Sequence, residues 1–123
     1  MSESLLSVVI VNWNAKEYIT GCLKYVLNSN YPHFEVILVD GRSEDKTVFA
    51  FKKFSKKLPQ SQILISEKRN VSFQRNIGAN EARGKYLVFL DADVQIERTF
   101  LEEIHLAALK KKFKLATTYV IPD

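Results

Sequence analysis

Lys85-Tyr86-Leu87-Val88-Phe89-Leu90-Asp91-Ala92-Asp93 is the stretch that decides how the chain is read. An apolar run rich in aromatic and branched residues ends abruptly in two carboxylates with one small residue between them. Such a run predicts a buried strand. Asp91 and Asp93 then fall at its carboxyl end, on the rim where open α/β sheets bind ligands. Two negative charges this close repel, so one is protonated or a cation sits between them. A divalent Mn2+ or Mg2+ ion carrying phosphate oxygens fits that place. The competing reading is a strand end with ordinary surface carboxylates, since a D-x-D triplet also occurs by chance.

The segments on either side have the same character. Ser7-Val8-Val9-Ile10-Val11 is a near-continuous apolar run, which predicts a strand buried on both faces. Asn12-Trp13-Asn14 follows as a short loop, and Asn14 and Glu17 have the spacing of a capping box. Ile19, Cys22, Leu23 and Val26 repeat at helical spacing, and Asn28 to Pro32 stops that helix. A second strand, Phe34 to Val39, ends at Asp40. The polar turn Gly41 to Asp45 leads into a helix from about Lys46 to Lys57, with Val48, Phe51, Phe54 and Leu58 inward and Pro59 closing it. Ile63-Leu64-Ile65 reads as a short third strand. After the polar loop Lys68-Arg69-Asn70-Val71, Ser72 is the expected N-cap of a helix through Ala82. That helix is expected to be half-buried, because Gln74, Asn76 and Asn80 surround Phe73 and Ile77. Gly84 stands just past its last turn, as a C-terminal glycine cap would. Gln95 to Lys112 is expected to be mostly helix, with Phe100, Leu101, Ile104 and Ala108 inward, and Leu115 to Ile121 a fifth strand.

Strands and helices thus alternate from end to end. This predicts an α/β fold, Rossmann-like, with a mainly parallel sheet of about five strands in the order 3-2-1-4 and helices on both faces. Val11-Asn12-Trp13-Asn14, Asp40 and Asp91/Asp93 then converge on one crevice at the topological switch between the first and fourth strands. Asp40 reads either as an acid contacting a ribose or as a turn-capping acid. Trp13 either stacks on a nucleobase or packs on the domain rim. Arg75, in the first turn of the third helix, either reaches back to phosphate or makes a surface ion pair. His33 and His105 pair with no nucleophile or metal cluster and are assigned to structure or solvent. The chain has no GxGxxG, P-loop or CxxC.

With 123 residues the chain has room for one domain with a real core and not for two. No run of about 18 apolar residues predicts a membrane span. Met1-Ser2-Glu3-Ser4 lacks the basic start of a secretory signal, and the single cysteine, Cys22, lies on an apolar helical face as a core residue. Both fit a cytoplasmic protein. The net charge of +4 is concentrated in Lys52-Lys53, Lys56-Lys57 and Lys110-Lys111-Lys112 with Lys114. These are solvated helix faces or a surface drawn to an anionic membrane, which would place the protein at its inner face. No aromatic-interleaved basic motif points to nucleic acid.

Four motifs in fixed order carry a resemblance to family 2 glycosyltransferases of the GT-A fold. Ser7 to Asn14 resembles their opening strand. Phe34-Glu35-Val36-Ile37-Leu38-Val39-Asp40-Gly41-Arg42-Ser43-Glu44-Asp45-Lys46-Thr47 resembles their second-strand motif, usually E-V-I-V-V-D-D-G-S-T-D-G-T. Arg75 to Tyr86 resembles their A-R-N-x-G…A-x-G-x-Y stretch, and Leu90-Asp91-Ala92-Asp93 their D-A-D form of the DxD motif. The resemblance covers nearly the whole chain.

It implies a nucleoside-diphosphate sugar in the crevice and transfer of the sugar with inversion, by one in-line displacement. Asp93 would bind the metal, and Asp91 the metal or the ribose. Asp40 and Gly41, with Val11, Asn12 and Trp13, would hold the nucleoside, and Arg75 would lie near the ribose or diphosphate. The acceptors of such enzymes are lipid phosphates, saccharides or proteins. The sequence also departs from the pattern. Gly41 replaces the second acid of the D-D pair, Val11 the usual proline, Trp13 the tyrosine and Asn70 the glycine that opens the third motif. In this family the catalytic base and the acceptor site lie well beyond Asp93, and proton removal needs a carboxylate near the acceptor hydroxyl. Residues 1–123 are therefore expected to be the donor-binding portion, cut before that region. A homodimer through the C-terminal sheet edge is a further expectation. Two alternatives stand beside this: a nucleotide-sugar-binding module without turnover, and a haloacid-dehalogenase-like phosphatase with Asp91 as nucleophile and Asp93 as acid.

Overall fold

The computed structural model describes residues 4–111 and 115–117, with side chains through Lys110. Strands and helices alternate as expected: β1 (Leu6–Asn12), α1 (Lys16–Leu27), β2 (Phe34–Asp40), α2 (Thr47–Ser55), β3 (Ser61–Ile65), α3 (Val71–Glu81), β4 (Tyr86–Asp91), α4 (Phe100–Lys111) and β5 (Leu115–Thr117). All pairings are parallel, and the sheet order is β3-β2-β1-β4-β5. The fifth strand pairs with β4 over Leu115–Thr117, while 118–121 of the expected strand lie outside the described residues.

β1 and β2 are buried along their whole length, as unbroken apolar runs require in a sheet covered on both sides. On one face Leu6, Val8 and Ile10 meet Ile19, Leu23 and Val26 of α1, Phe51 of α2, and Leu101 and Ile104 of α4. On the other, Val9, Val11, Ile37, Val39 and Phe89 lie under Ile77 and Ala79 of α3. Alternating β1 residues thus serve opposite layers, as the strand period dictates.

α3 approaches the sheet closely. Its fully buried residues are Gln74 and Gly78, with Phe73 and Ile77 half-buried. A Cβ on Gly78 would lie 2.4 Å from a Val9 methyl and 3.1 Å from a Val39 methyl, so this contact admits glycine alone. The N-cap of α3 is Asn70, not Ser72. Its Oδ1 accepts from the Phe73 amide, and the helix starts two residues earlier than expected. Gly84 is not a left-handed helix cap. No glycine has positive φ, and the C-cap is an extended Ala82. Gly84 is there because its amide donates to Ser7 Oγ at 2.8 Å, and a Cβ would come within 2.5 Å of that same oxygen. Ser7 Oγ in turn donates to the buried Glu35 carboxylate, which also accepts from the Arg83 amide. This network pins the α3–β4 connection to the amino-terminal ends of β1 and β2.

α4 begins at Phe100 rather than Gln95. A turn closes from the Val94 amide to the Asp91 carbonyl, and the Asn30 amide donates to the Arg98 carbonyl. Residues 94–99 are drawn into cross-loop contacts instead of a helix, with Ile96 buried in the core. His105 is buried against the Tyr31 ring, and His33 meets the same ring edge-on, so both histidines pack structurally.

Candidate functional site

The sheet register aligns the expected residues. Asn12 is opposite Asp40 on one side of β1, and Val11 is opposite Asp91 on the other. Where the β1 and β4 crossovers part, an open cavity of about 490 Å3 lies at the carboxyl ends of the strands. Val11 to Ala15, Tyr18, Arg69, Val71, Gln74 and Asp91 to Asp93 line it. A volume in this range suits a small organic ligand. Of the residues expected at the site, Val11, Asn12, Trp13, Asp91 and Asp93 line the cavity. Asp40, Gly41 and Arg75 do not.

Asp40 lies beneath the cavity and is only 1% exposed. Its carboxylate accepts from Asn12 Nδ2 at 2.9 Å, from Ser43 Oγ at 2.6 Å and from the Ser43 amide at 2.8 Å. These bonds hold the β2–α2 turn against the end of β1, where the Gly41 amide also donates to the Asn12 carbonyl at 2.9 Å. The rest of the turn repeats the device. Asn14 does not cap its own helix. It adopts a left-handed φ of 52°, and its Oδ1 accepts from the Glu44 and Asp45 amides. The orphan amides at the start of α1 are satisfied from across the gap, Ala15 by Thr47 Oγ1 and Lys16 by Asp45 Oδ2. The Asp45 carboxyl sits below its usual range. Desolvation acts to raise it, and the combined hydrogen bonds from Thr47 and the Lys16 and Thr47 amides outweigh that, with help from the Lys16 charge. The polar residues after the second strand thus lace two loops together and fix the cavity wall.

Trp13 stands on the rim, 45% exposed, with the Arg69 guanidinium 4.2 Å from its ring centroid. Arg69 is itself held by the Gly41 carbonyl at 3.2 Å and the Arg42 carbonyl at 3.4 Å. Gln74 is buried, and its Nε2 donates to the Asn12 carbonyl at 3.1 Å and the Val39 carbonyl at 3.0 Å. Arg75 lies over the Phe89 ring. Sequence reasoning missed Ala15, Tyr18, Arg69, Val71 and Gln74. The one available signal was Gln74 with Gly78, a polar residue and a glycine four apart on the stripe that a sheet-packed helix must bury.

Asp91 and Asp93 are exposed on the cavity's β4 side, with Ala92 buried between them. Cys22 packs beneath, its Sγ 4.0 Å from the Asp91 carbonyl. Burial, with added repulsion from Asp93 and Asp91, pushes its thiol up to about 12, so it is no nucleophile at neutral pH. Among the described residues no group of three or more His, Cys, Asp or Glu converges as a metal cage. Two exposed carboxylates do suit a hard divalent cation that keeps its other positions for water and phosphate oxygens.

A parallel sheet in the order 3-2-1-4-5, with a cavity and paired carboxylates at its switch point, defines an open α/β domain of the class that binds ligands at that crevice. Residues 7–121 match Glycosyl transferase family 2, and the chain belongs to that family. It is 32% identical over 120 residues to a dolichyl N-acetyl-alpha-D-glucosaminyl phosphate 3-beta-D-2,3-diacetamido-2,3-dideoxy-beta-D-glucuronosyltransferase of Methanococcus voltae, covering 92% of this chain and 37% of that protein. The crystal structure of S. aureus TarS 1-349 in complex with UDP-GlcNAc matches with a TM-score of 0.77 and 25% identity, over 87% of this chain and 32% of that one. A mannosyltransferase from Pyrobaculum calidifontis in complex with GDP-Man and Mn2+ shares the fold, with a TM-score of 0.75 and 24% identity over 81% of this chain and 31% of that one. The chain spans roughly a third of the length of the curated relatives it matches. The family match includes Asp91 and Asp93, which places them in a glycosyltransferase pattern rather than a phosphatase one. No helix among the described residues is long and apolar enough to cross a membrane.

Proposed function

We propose that this chain is the donor-binding portion of an inverting glycosyltransferase and holds a nucleoside-diphosphate sugar across the cavity. The observation that carries this is the two-ended cavity, with an exposed tryptophan beside β2 and an exposed carboxylate pair beside β4. Trp13 offers an apolar face to a nucleobase. Asp91 and Asp93 would hold a Mn2+ or Mg2+ ion and with it the diphosphate. Such an ion, when bound, offsets the charge on a departing diphosphate. The laced loops fix the cavity wall before the donor arrives, so little ordering is left to oppose binding.

Asp91 and Asp93 are the only acids among the described residues that line the cavity. With both assigned to the cation, the base that takes the acceptor proton comes from outside these residues. That same observation favours a second reading, a nucleotide-sugar-binding module that does not turn over alone. Trp13 is the chain's single tryptophan, so its fluorescence reports the cavity directly. Titration with UDP and GDP should quench it strongly with Mn2+ present and weakly without. Fluorescence unmoved by either nucleotide in Mn2+ would refute donor binding. Transfer from a donor sugar by this chain alone would refute the placement of the base outside it.

A further inference from the structure

We propose that Gln74 is the specificity-determining residue for the nucleobase, and that its amide oxygen selects bases carrying a ring N–H beside a carbonyl, uracil or guanine, over cytosine and adenine. The inference rests on the reading of the cavity as a nucleoside-diphosphate site.

The cavity has two chemically distinct ends, one on each side of β1. Asp91 and Asp93 lie on the β4 side. Trp13, Arg69 and Gln74 gather on the β2 side around the backbone of Gly41. Arg69 Nε donates to the Gly41 carbonyl, the Gly41 amide donates to the Asn12 carbonyl, and the Gln74 amide packs against Gly41. A diphosphate at the carboxylate end puts the base at this second end, against Trp13.

The polar groups at that end are few. The Asp40 carboxylate is buried and already accepts from Asn12 and Ser43, and residue 41 has no side chain. Gln74 is different. Both of its amide hydrogens are donated, to the Asn12 and Val39 carbonyls, which fixes the amide's orientation. The flipped amide would set its oxygen against two carbonyl oxygens. What remains is the oxygen, an acceptor on a cavity-lining side chain. Uracil N3 and guanine N1 carry a hydrogen for it. Cytosine N3 and adenine N1 are acceptors at the corresponding ring position, so two lone pairs would face each other there. Gly41 makes room for this arrangement, because a Cβ at 41 would meet both Gln74 amide heteroatoms at 3.4 Å and the Asn12 carbonyl at 3.3 Å. A carboxylate placed at 41 would therefore compete for the place the Gln74 amide fills.

Calorimetric titration with UDP, CDP, GDP and ADP in Mn2+ tests this. The native chain should bind UDP and GDP about tenfold to a hundredfold more tightly than CDP and ADP, the range expected when a polar group at a binding site is mismatched. Gln74→Leu should reduce that ratio to within about threefold. Gly41→Asp in a Gln74→Ala background should restore a preference for UDP and GDP. Uridine diphosphate methylated at N3 should bind the native chain at least about tenfold more weakly than UDP, a measurement that needs no variant to fold. Equal native affinity for UDP and CDP, a ratio unchanged in Gln74→Leu, or undiminished binding of the N3-methyl compound would each overturn the assignment. Binding of no nucleoside diphosphate at all would instead overturn the donor-site reading on which it rests.

Discussion

Gly78→Ala and Gly21→Ala make the same chemical change in two helices and should move stability in opposite directions. In α3, the new methyl would sit 2.4 Å from Val9 Cγ1. A comfortable carbon contact is about 3.5–4.0 Å, so more than about 1 Å of space must be found. Val9 cannot give way. It is fully buried in the central strand, and its β-branched side chain is stiff. Val39, 3.1 Å from the same point, closes the other exit. The helix must lift, at a cost of about 2–3 kcal/mol, the upper part of the overpacking range because neither valine can yield, against about 1 kcal/mol gained from alanine's helix propensity. The net expectation is a loss of about 1–2 kcal/mol. In α1, a Cβ on Gly21 would meet Gln95 Nε2 at 3.5 Å, an ordinary contact, so the propensity gain of up to about 1 kcal/mol stands alone. Urea unfolding should show the two midpoints shifted to opposite sides of the native value at a common slope. Lifting α3 also displaces Gln74, one turn before Gly78, so Gly78→Ala should weaken nucleotide binding and Gly21→Ala should not. Two stabilising changes, or a neutral Gly78→Ala, would show that α3 does not rest on Val9 at the stated distance.

Glu35→Ala removes a buried carboxylate that accepts from Ser7 Oγ and the Arg83 amide at the end of the sheet away from the cavity. It should cost about 1–3 kcal/mol in urea unfolding while leaving nucleotide affinity unchanged. Cys22 has its thiol pKa raised from 9.0 to about 12 in the folded chain. The folded value exceeds the unfolded one, so the stability linked to the protonated thiol is complete below pH 9 and is lost as the pH rises towards 12. Cys22→Ala should flatten that alkaline loss, and the native thiol should resist a thiol-specific reagent at pH 8 until urea unfolds the chain.

How much of this was legible in the sequence differs by element. The order of strands and helices, the parallel sheet and the side-by-side placement of Asn12, Asp40 and Asp91 followed from apolar runs whose period and ends are local properties. The errors fell where a polar residue's partner is distant in sequence. Asn14 has a local capping pattern, yet its oxygen serves amides about thirty residues away. Asp40 reads in the sequence as a ligand-contacting or a turn-capping acid, and its bonds from Asn12 and Ser43 belong to the second role. The start of α4 moved because the Arg98 carbonyl accepts from Asn30. Arg69 gave no signal, since a loop arginine acquires meaning only once Trp13 is seen beneath it. Gln74 gave a faint one, as a polar residue on the buried stripe of α3.

The most direct test of the central claim is calorimetric binding of UDP and GDP to the native chain and to Asp93→Ala, each with and without Mn2+. The native chain should bind in a Mn2+-dependent way. Asp93→Ala should lose that dependence, with thermal unfolding unchanged because Asp93 is exposed. Mn2+-dependent affinity undiminished by the substitution would contradict the central claim.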